Sequence, residues 1–173
     1  IVGDGGQSAL YYSSRLFQLP LAIFAVSLSQ ASLPDLSKYA AQKNQEAFSA
    51  SLEFTIRNAV FTALPASVGL AVFSREIIEI LFKRGAFGEE SVRVTSDTLF
   101  YYSLGLVSCA VIKVLVTGFY ALQDTRTPVK TATMCLGINV ILNAVFMVPL
   151  KVGGLALATS LAATANVCWL YIL

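Results

Sequence analysis

Apolar residues run along this chain in blocks of about twenty, with the polar residues gathered between them. A helix that crosses the ~30 Å hydrocarbon core of a membrane needs about 20 mostly apolar residues at 1.5 Å rise each. Five stretches reach that length: residues 8–33, 52–73, 98–122, 129–150 and 152–173. The first contains Pro20 and the second Pro65, which kink membrane helices without ending them. Residues 113–130, KVLVTGFYALQDTRTPVK, join two arms that are apolar nearly all round. A soluble hairpin would carry a polar face on each arm, so this turn links buried or membrane-spanning helices.

The connections differ in character. Residues 34–51 are polar and predict a short surface helix leading into the second span. Residues 74–97 hold most of the charge, with Arg75, Glu79 and Lys83 spaced to pair along one helical face. Ile77, Ile78, Leu81 and Phe82 share another face. That pattern fits a helix lying in the membrane interface, and equally a connecting helix packed on its own protein. Gly85 and Gly88 end it. The segment QDTRTP makes a short third loop, with Pro128 in the first turn of the next span, and Lys151, Gly153 and Gly154 make a tight fourth turn. No internal repeat is evident.

Composition names the solvent. Apolar residues make up 56% of the 173 and charged residues 13%, against about 25% charged in soluble domains. Mean hydropathy is +0.71. The missing charge is missing water-facing surface, so the expected fold class is all-α: a polytopic transmembrane helix bundle, with residues 1–173 a partial transmembrane domain. A net charge of +2 is too small to imply a nucleic-acid partner. Histidine is absent, which removes His-based acid–base chemistry and most zinc sites. Cys109, Cys135 and Cys168 are widely spaced in apolar segments and read as small packing residues. No basic segment precedes the first apolar run, so no cleavable leader is expected. The chain starts without Met and stops inside the run WLYIL, which predicts a piece of a longer membrane protein.

Charge inside the spans is where chemistry is expected. Arg15 lies about seven residues into the first span, roughly 10 Å at helical rise, with no carboxylate one turn away. Its long stem allows snorkelling to the interface. Alternatively it faces a water-filled cavity and binds an anion, since guanidinium donates two parallel hydrogen bonds to phosphate. Lys113 sits roughly 14 Å before the QDTRTP turn, beyond the reach of its stem, which favours a cavity. Arg57 is close enough to its span's start to anchor at the interface. Asn139 and Asn143 point from one face of the fourth span, and Thr159 and Ser160 lie on the fifth. Their oxygens could coordinate a hard cation such as sodium, or bond between helices as membrane glue. No Asp or Glu lies deep in any span, and no catalytic constellation is present, so an enzyme is not expected. Counting basic residues leaves orientation open, with Lys38, Lys43, Arg57, Arg126 and Lys130 on one side and Arg75, Lys83, Arg84, Arg93 and Lys151 on the other.

The segments YYSSRLFQLPLAIFAVSLSQASLPDLSKYAA, ALPASVGLAVF, LFKRGAF, KVLVTGFYALQDTRTPVK and GGLALATSLAA, in that order, resemble the MurJ (MviN) lipid II flippases of bacterial peptidoglycan synthesis. That family belongs to the multidrug/oligosaccharidyl-lipid/polysaccharide exporters. LFKRGAF and FYALQDTRTPVK are the most specific segments. The resemblance implies about five helices of the second lobe of a two-lobe transporter of about fourteen, in the bacterial inner membrane. It implies partners in lipid II or a similar polyprenyl-diphosphate saccharide, in membrane lipids, and in a first lobe of the same chain. It places loops 34–51 and 123–128 in the cytoplasm and 74–97 in the periplasm. It matches Arg15 to a cavity arginine thought to engage the substrate head group, and Lys113 to the lysine before a tenth-helix glycine. Asn139, Asn143 and Thr159 fall where some members hold sodium. Three departures stand out: Ser14 where an acidic residue is frequent, Thr117 where proline often precedes the glycine, and amides where a carboxylate is wanted for a cation. The rival readings are a flippase for another polyprenyl-linked saccharide and a non-transporting membrane scaffold that binds such precursors.

Overall fold

A computed structural model of the chain describes residues 6–84 and 87–172. Gly85 and Ala86, and with them the middle of LFKRGAF, lie outside the described residues. Every regular element described is a helix: α1 (Gly6–Ala41), α2 (Gln45–Val72), α3 (Ser74–Phe82), α4 (Glu89–Leu104), α5 (Leu106–Ala121) and α6 (Arg126–Ile172). α1, α2 and α6 are each long and apolar enough to cross a membrane, and α4 with α5 passes that test as a bent pair. The chain is thus a multi-pass membrane protein.

Helix α1 runs past Leu33 and through Pro34, so the polar linker expected at 34–51 shrinks to residues 42–44. The cause is burial. Leu36 is fully buried against Phe48 and Ala121, with Tyr39, Ala40 and Leu52 packed around them. Lys43 takes a left-handed conformation at φ 54°, and Asn44 Oδ1 accepts from the Ala47 N–H at 3.1 Å to start α2. Within α1, Pro20 lacks the N–H of a regular turn, and residues Leu21–Val26 widen into a π-helical segment.

The stretch expected to begin at residue 98 starts at Glu89 and breaks at Gly105, where α4 and α5 meet at 44°. The break lies where another helix comes close. A Cβ on Gly105 would lie 2.6 Å from Ser160 Oγ and 2.9 Å from Ser160 Cα, so only glycine lets the second arm of α6 come this close. Two hydroxyls from other helices bond carbonyls beside the bend: Ser160 to Tyr101 O and Ser67 to Ser103 O, each at 2.7 Å.

Helix α6 turns back at Lys151, the one non-helical residue within it, at φ 49° and ψ −120°. Each arm is about the length of one crossing. The second arm runs parallel to α4 and α5, with Gly153 against Tyr101 and Thr164 Oγ1 3.0 Å from Ser108 Oγ. A lysine there carries left-handed strain that glycine lacks, offset by glycine's freer unfolded chain. Lys151→Gly is expected to raise stability by up to about 1 kcal/mol, read as a higher melting temperature in detergent. A lower one would mean that the lysine side chain makes contacts the turn depends on.

The 42–44 and 122–125 turns share one end of the bundle, and α3 and the Lys151 turn share the other. At the first end Asp124 accepts from Thr127 Oγ1 and from the Thr127 and Arg126 N–H groups, which starts α6. The Thr127 bonds in particular hold its carboxyl below the usual carboxylate range. At the second end Ile78 of α3 is fully buried with Val92 and Leu99, so α3 packs on its own protein. Its other face carries Arg75, Glu79 and Lys83, paired as the spacing predicts. Glu89 joins them, 3.7 Å from Arg75 and bonded to Lys83. That bond raises the Lys83 pKa.

Candidate functional site

Ser13 orients the site. It is fully buried and donates to the Thr95 carbonyl at 2.8 Å, pinning one face of α1 to α4. Residues on the far side of α1, including Tyr11 and Arg15, are therefore left exposed. The Arg15 side chain folds back along the helix, as long side chains on helices do, and its Cζ lies over the Tyr11 ring at 5.1 Å from the centroid. Among the described residues no carboxylate pairs with it; the ion pairs all belong to the Arg75, Glu79, Lys83 and Glu89 group.

A cleft of about 330 Å³ opens beside this face. Tyr11 and Ser14 of α1 form one wall, Tyr102 of α4 the floor, and Asn143, Leu155 and Thr159 of α6 the far wall. Two of the residues expected to bind a cation thus share a cleft with the neighbours of Arg15. Asn139 joins indirectly, because Asn143 Nδ2 donates to Asn139 Oδ1 at 2.8 Å. This bond runs along one helix rather than between helices. Asn143 Oδ1 is buried and has no partner, and Thr159 donates to its own helix at Leu155 O, 2.9 Å away.

Ser160 behaves differently from its neighbour. Successive residues on a helix point about 100° apart, so Thr159 reaches the cleft while Ser160 faces the α4–α5 bend. Lys113 is also elsewhere. It is exposed on α5, and its carbonyl accepts from Thr117 Oγ1 at 2.9 Å. Phe17 stacks on Tyr102, with centroids 5.6 Å apart, which sets the level of Arg15 near residue 100. Lys113 then lies roughly 20 Å further along the bundle at helical rise. Arg57 is exposed on α2.

Tyr11 and Tyr102 are the site residues that sequence reasoning missed. Tyr11 had a usable signal, one helical turn before an arginine; Tyr102 had none, since its place depends on the packing of α4 against α1 and α6. Among the described residues no cluster of His, Cys, Asp or Glu could hold a metal ion.

The arrangement offers a cation, two aromatic rings and neutral hydrogen-bonding groups. Its closest chemical use is to bind a polar, anionic ligand. The family profile described as lipid II flippase MurJ matches residues 1–173. A probable lipid II flippase MurJ of Vibrio cholerae is 38% identical over 167 residues, which cover 96% of this chain and 32% of that protein. The lipid II flippase MurJ of Burkholderia cenocepacia is 33% identical, over 99% of this chain and 33% of its own length. A solved structure of lipid II flippase MurJ in an inward closed conformation superposes with a TM-score of 0.87 at 32% identity, covering 96% of this chain and 35% of that one. The chain spans about a third of the length of the relatives it matches.

Proposed function

This chain belongs to the lipid II flippase MurJ family, and from that membership we propose that it is part of a transporter that moves undecaprenyl-diphosphate-linked peptidoglycan precursor across the bacterial inner membrane. Arg15 carries the reading. It is a guanidinium in an apolar helix, over a ring that lines the cleft, with no carboxylate paired to it among the described residues. A diphosphate answers that geometry, because each charged hydrogen bond contributes about 1.5–3 kcal/mol and the guanidinium fork can make two. Lys113, exposed on α5 roughly 20 Å further along the bundle, is a second cation that does not neutralise the first. The mechanism is alternating access: the substrate diphosphate reaches Arg15 from one side, and the two lobes of the parent protein close behind it and open on the other. In the parent, the first lobe of the same chain supplies the opposite wall. Expressed in cells depleted of their own flippase, the parent protein should restore growth and cell shape. Failure to do so at normal membrane levels would remove the substrate assignment.

A sodium ion fits the cleft by donor chemistry: Asn143 Oδ1 is a buried oxygen without a partner, and Asn139 and Thr159 add neutral oxygens of the kind hard cations accept. Such an ion would supply local positive charge that couples the cleft to the sodium gradient. Binding to the folded state raises stability by mass action, so sodium should raise the parent's melting temperature and potassium should not. Asn143→Ala should abolish the difference. Equal shifts with both salts would rule out the site.

A further inference from the structure

An arginine within an apolar helix is commonly held by a carboxylate, which fixes it and also cancels its charge. Arg15 is held by a ring. Its Cζ lies over Tyr11 at 5.1 Å, within the ~6 Å reach of a cation–π contact. The ring is more than half exposed, and a run of aromatic contacts links it to the core. Tyr11 meets Tyr12 edge-on with centroids 5.7 Å apart, and Tyr12 packs on Phe82 at 4.6 Å and Phe87 at 6.0 Å. Phe82 and Phe87 pack in turn on the buried cluster of Ile78, Val92 and Leu99. The backbone beneath is fixed as well, with Ser14 donating to the Tyr11 carbonyl at 2.9 Å and Ser13 tied to α4. Tyr11 also lines the cleft.

We propose that Tyr11, which lines the cleft, is the positioning residue for Arg15: it holds the guanidinium over its own ring, with N–H groups free for the substrate's diphosphate. A ring attracts the cation without accepting its strong in-plane hydrogen bonds, so the contact orients the group and leaves its binding capacity intact. This rests on the reading of Arg15 as the anion site.

The test uses the purified full-length parent protein, with inorganic pyrophosphate as one probe and lipid II in nanodiscs as the other. Tyr11→Leu should weaken pyrophosphate binding about 3- to 30-fold, the range of a cation–π contact. Tyr11→Phe keeps the ring and should stay within about two-fold of wild type. In an Arg15→Gln background, Tyr11→Leu should change nothing further, because the two residues act as one unit. A purely structural role for Tyr11 would instead persist in that background. The proposal is overturned if Tyr11→Leu binds as wild type, if Tyr11→Phe falls as far as Tyr11→Leu, or if the loss survives without Arg15. Lipid II separates this claim from the one beneath it. A wild type that binds pyrophosphate through Tyr11 but ignores lipid II refutes the substrate and supports the positioning role. A wild type that binds neither refutes both.

Discussion

Alanine at Gly154 is expected to break the turn that folds α6 back on itself. A Cβ there would lie 2.2 Å from the carbonyl oxygen of Phe146 and 2.6 Å from its carbon. Both are backbone atoms, so no side chain can swing away to make room. The two arms must separate, and separation moves Thr159 away from Asn143 and Ser160 away from the Tyr101 carbonyl. Overpacking alone costs about 1–3 kcal/mol, and leaving a carbonyl unpaired in an apolar interior adds about 1–3 kcal/mol. The expected outcome is a large fall in melting temperature in detergent, with poor membrane accumulation. Gly137 provides the control in the same helix, since nothing lies within 4 Å of its Cβ position. Gly137→Ala should be neutral or gain up to about 1 kcal/mol from helix propensity. If the two variants melt alike, the close approach at Gly154 is wrong.

The second large effect is on transport. Arg15→Gln removes the charge while keeping hydrogen-bonding capacity, and should lower flipping by the parent protein by at least tenfold, the loss of about 1.4 kcal/mol or more. Arg15→Lys should recover part of that, since an ammonium keeps the charge but loses the planar fork and much of the contact with Tyr11. A graded order of Arg, Lys and Gln in transport, at equal protein levels, is the signature of an anion contact. If all three transport alike, Arg15 is an interface anchor, the snorkelling alternative its position also allows.

Much of this architecture is visible in the chain itself. Helical fold class, the ionic face of α3 and the QDTRTP turn follow from spacing and hydropathy, which are local. What escaped depends on partners far away in sequence. Pro34 looks like a helix end until Leu36 is seen buried against Phe48 and Ala121. Gly105 looks like one more small residue in an apolar run; that it breaks a helix depends on Ser160, which arrives by way of the Lys151 turn. The same turn sets the helical phase that sends Thr159 to the cleft and Ser160 away from it. Arg15 was legible as a costly charge. Its neighbourhood was not, because Asn143 and Thr159 lie more than a hundred residues away and share a cleft with Tyr11 and Ser14 only once the helices pack.

The most direct measurement is the exposure of lipid II on the outer face of the membrane, read by a membrane-impermeant enzyme that cleaves it, in cells depleted of their own flippase. The parent protein should restore that exposure, and its Arg15→Gln variant should leave lipid II inside. Exposure that stays absent with the wild-type parent correctly inserted, or that returns undiminished with Arg15→Gln, would contradict the account.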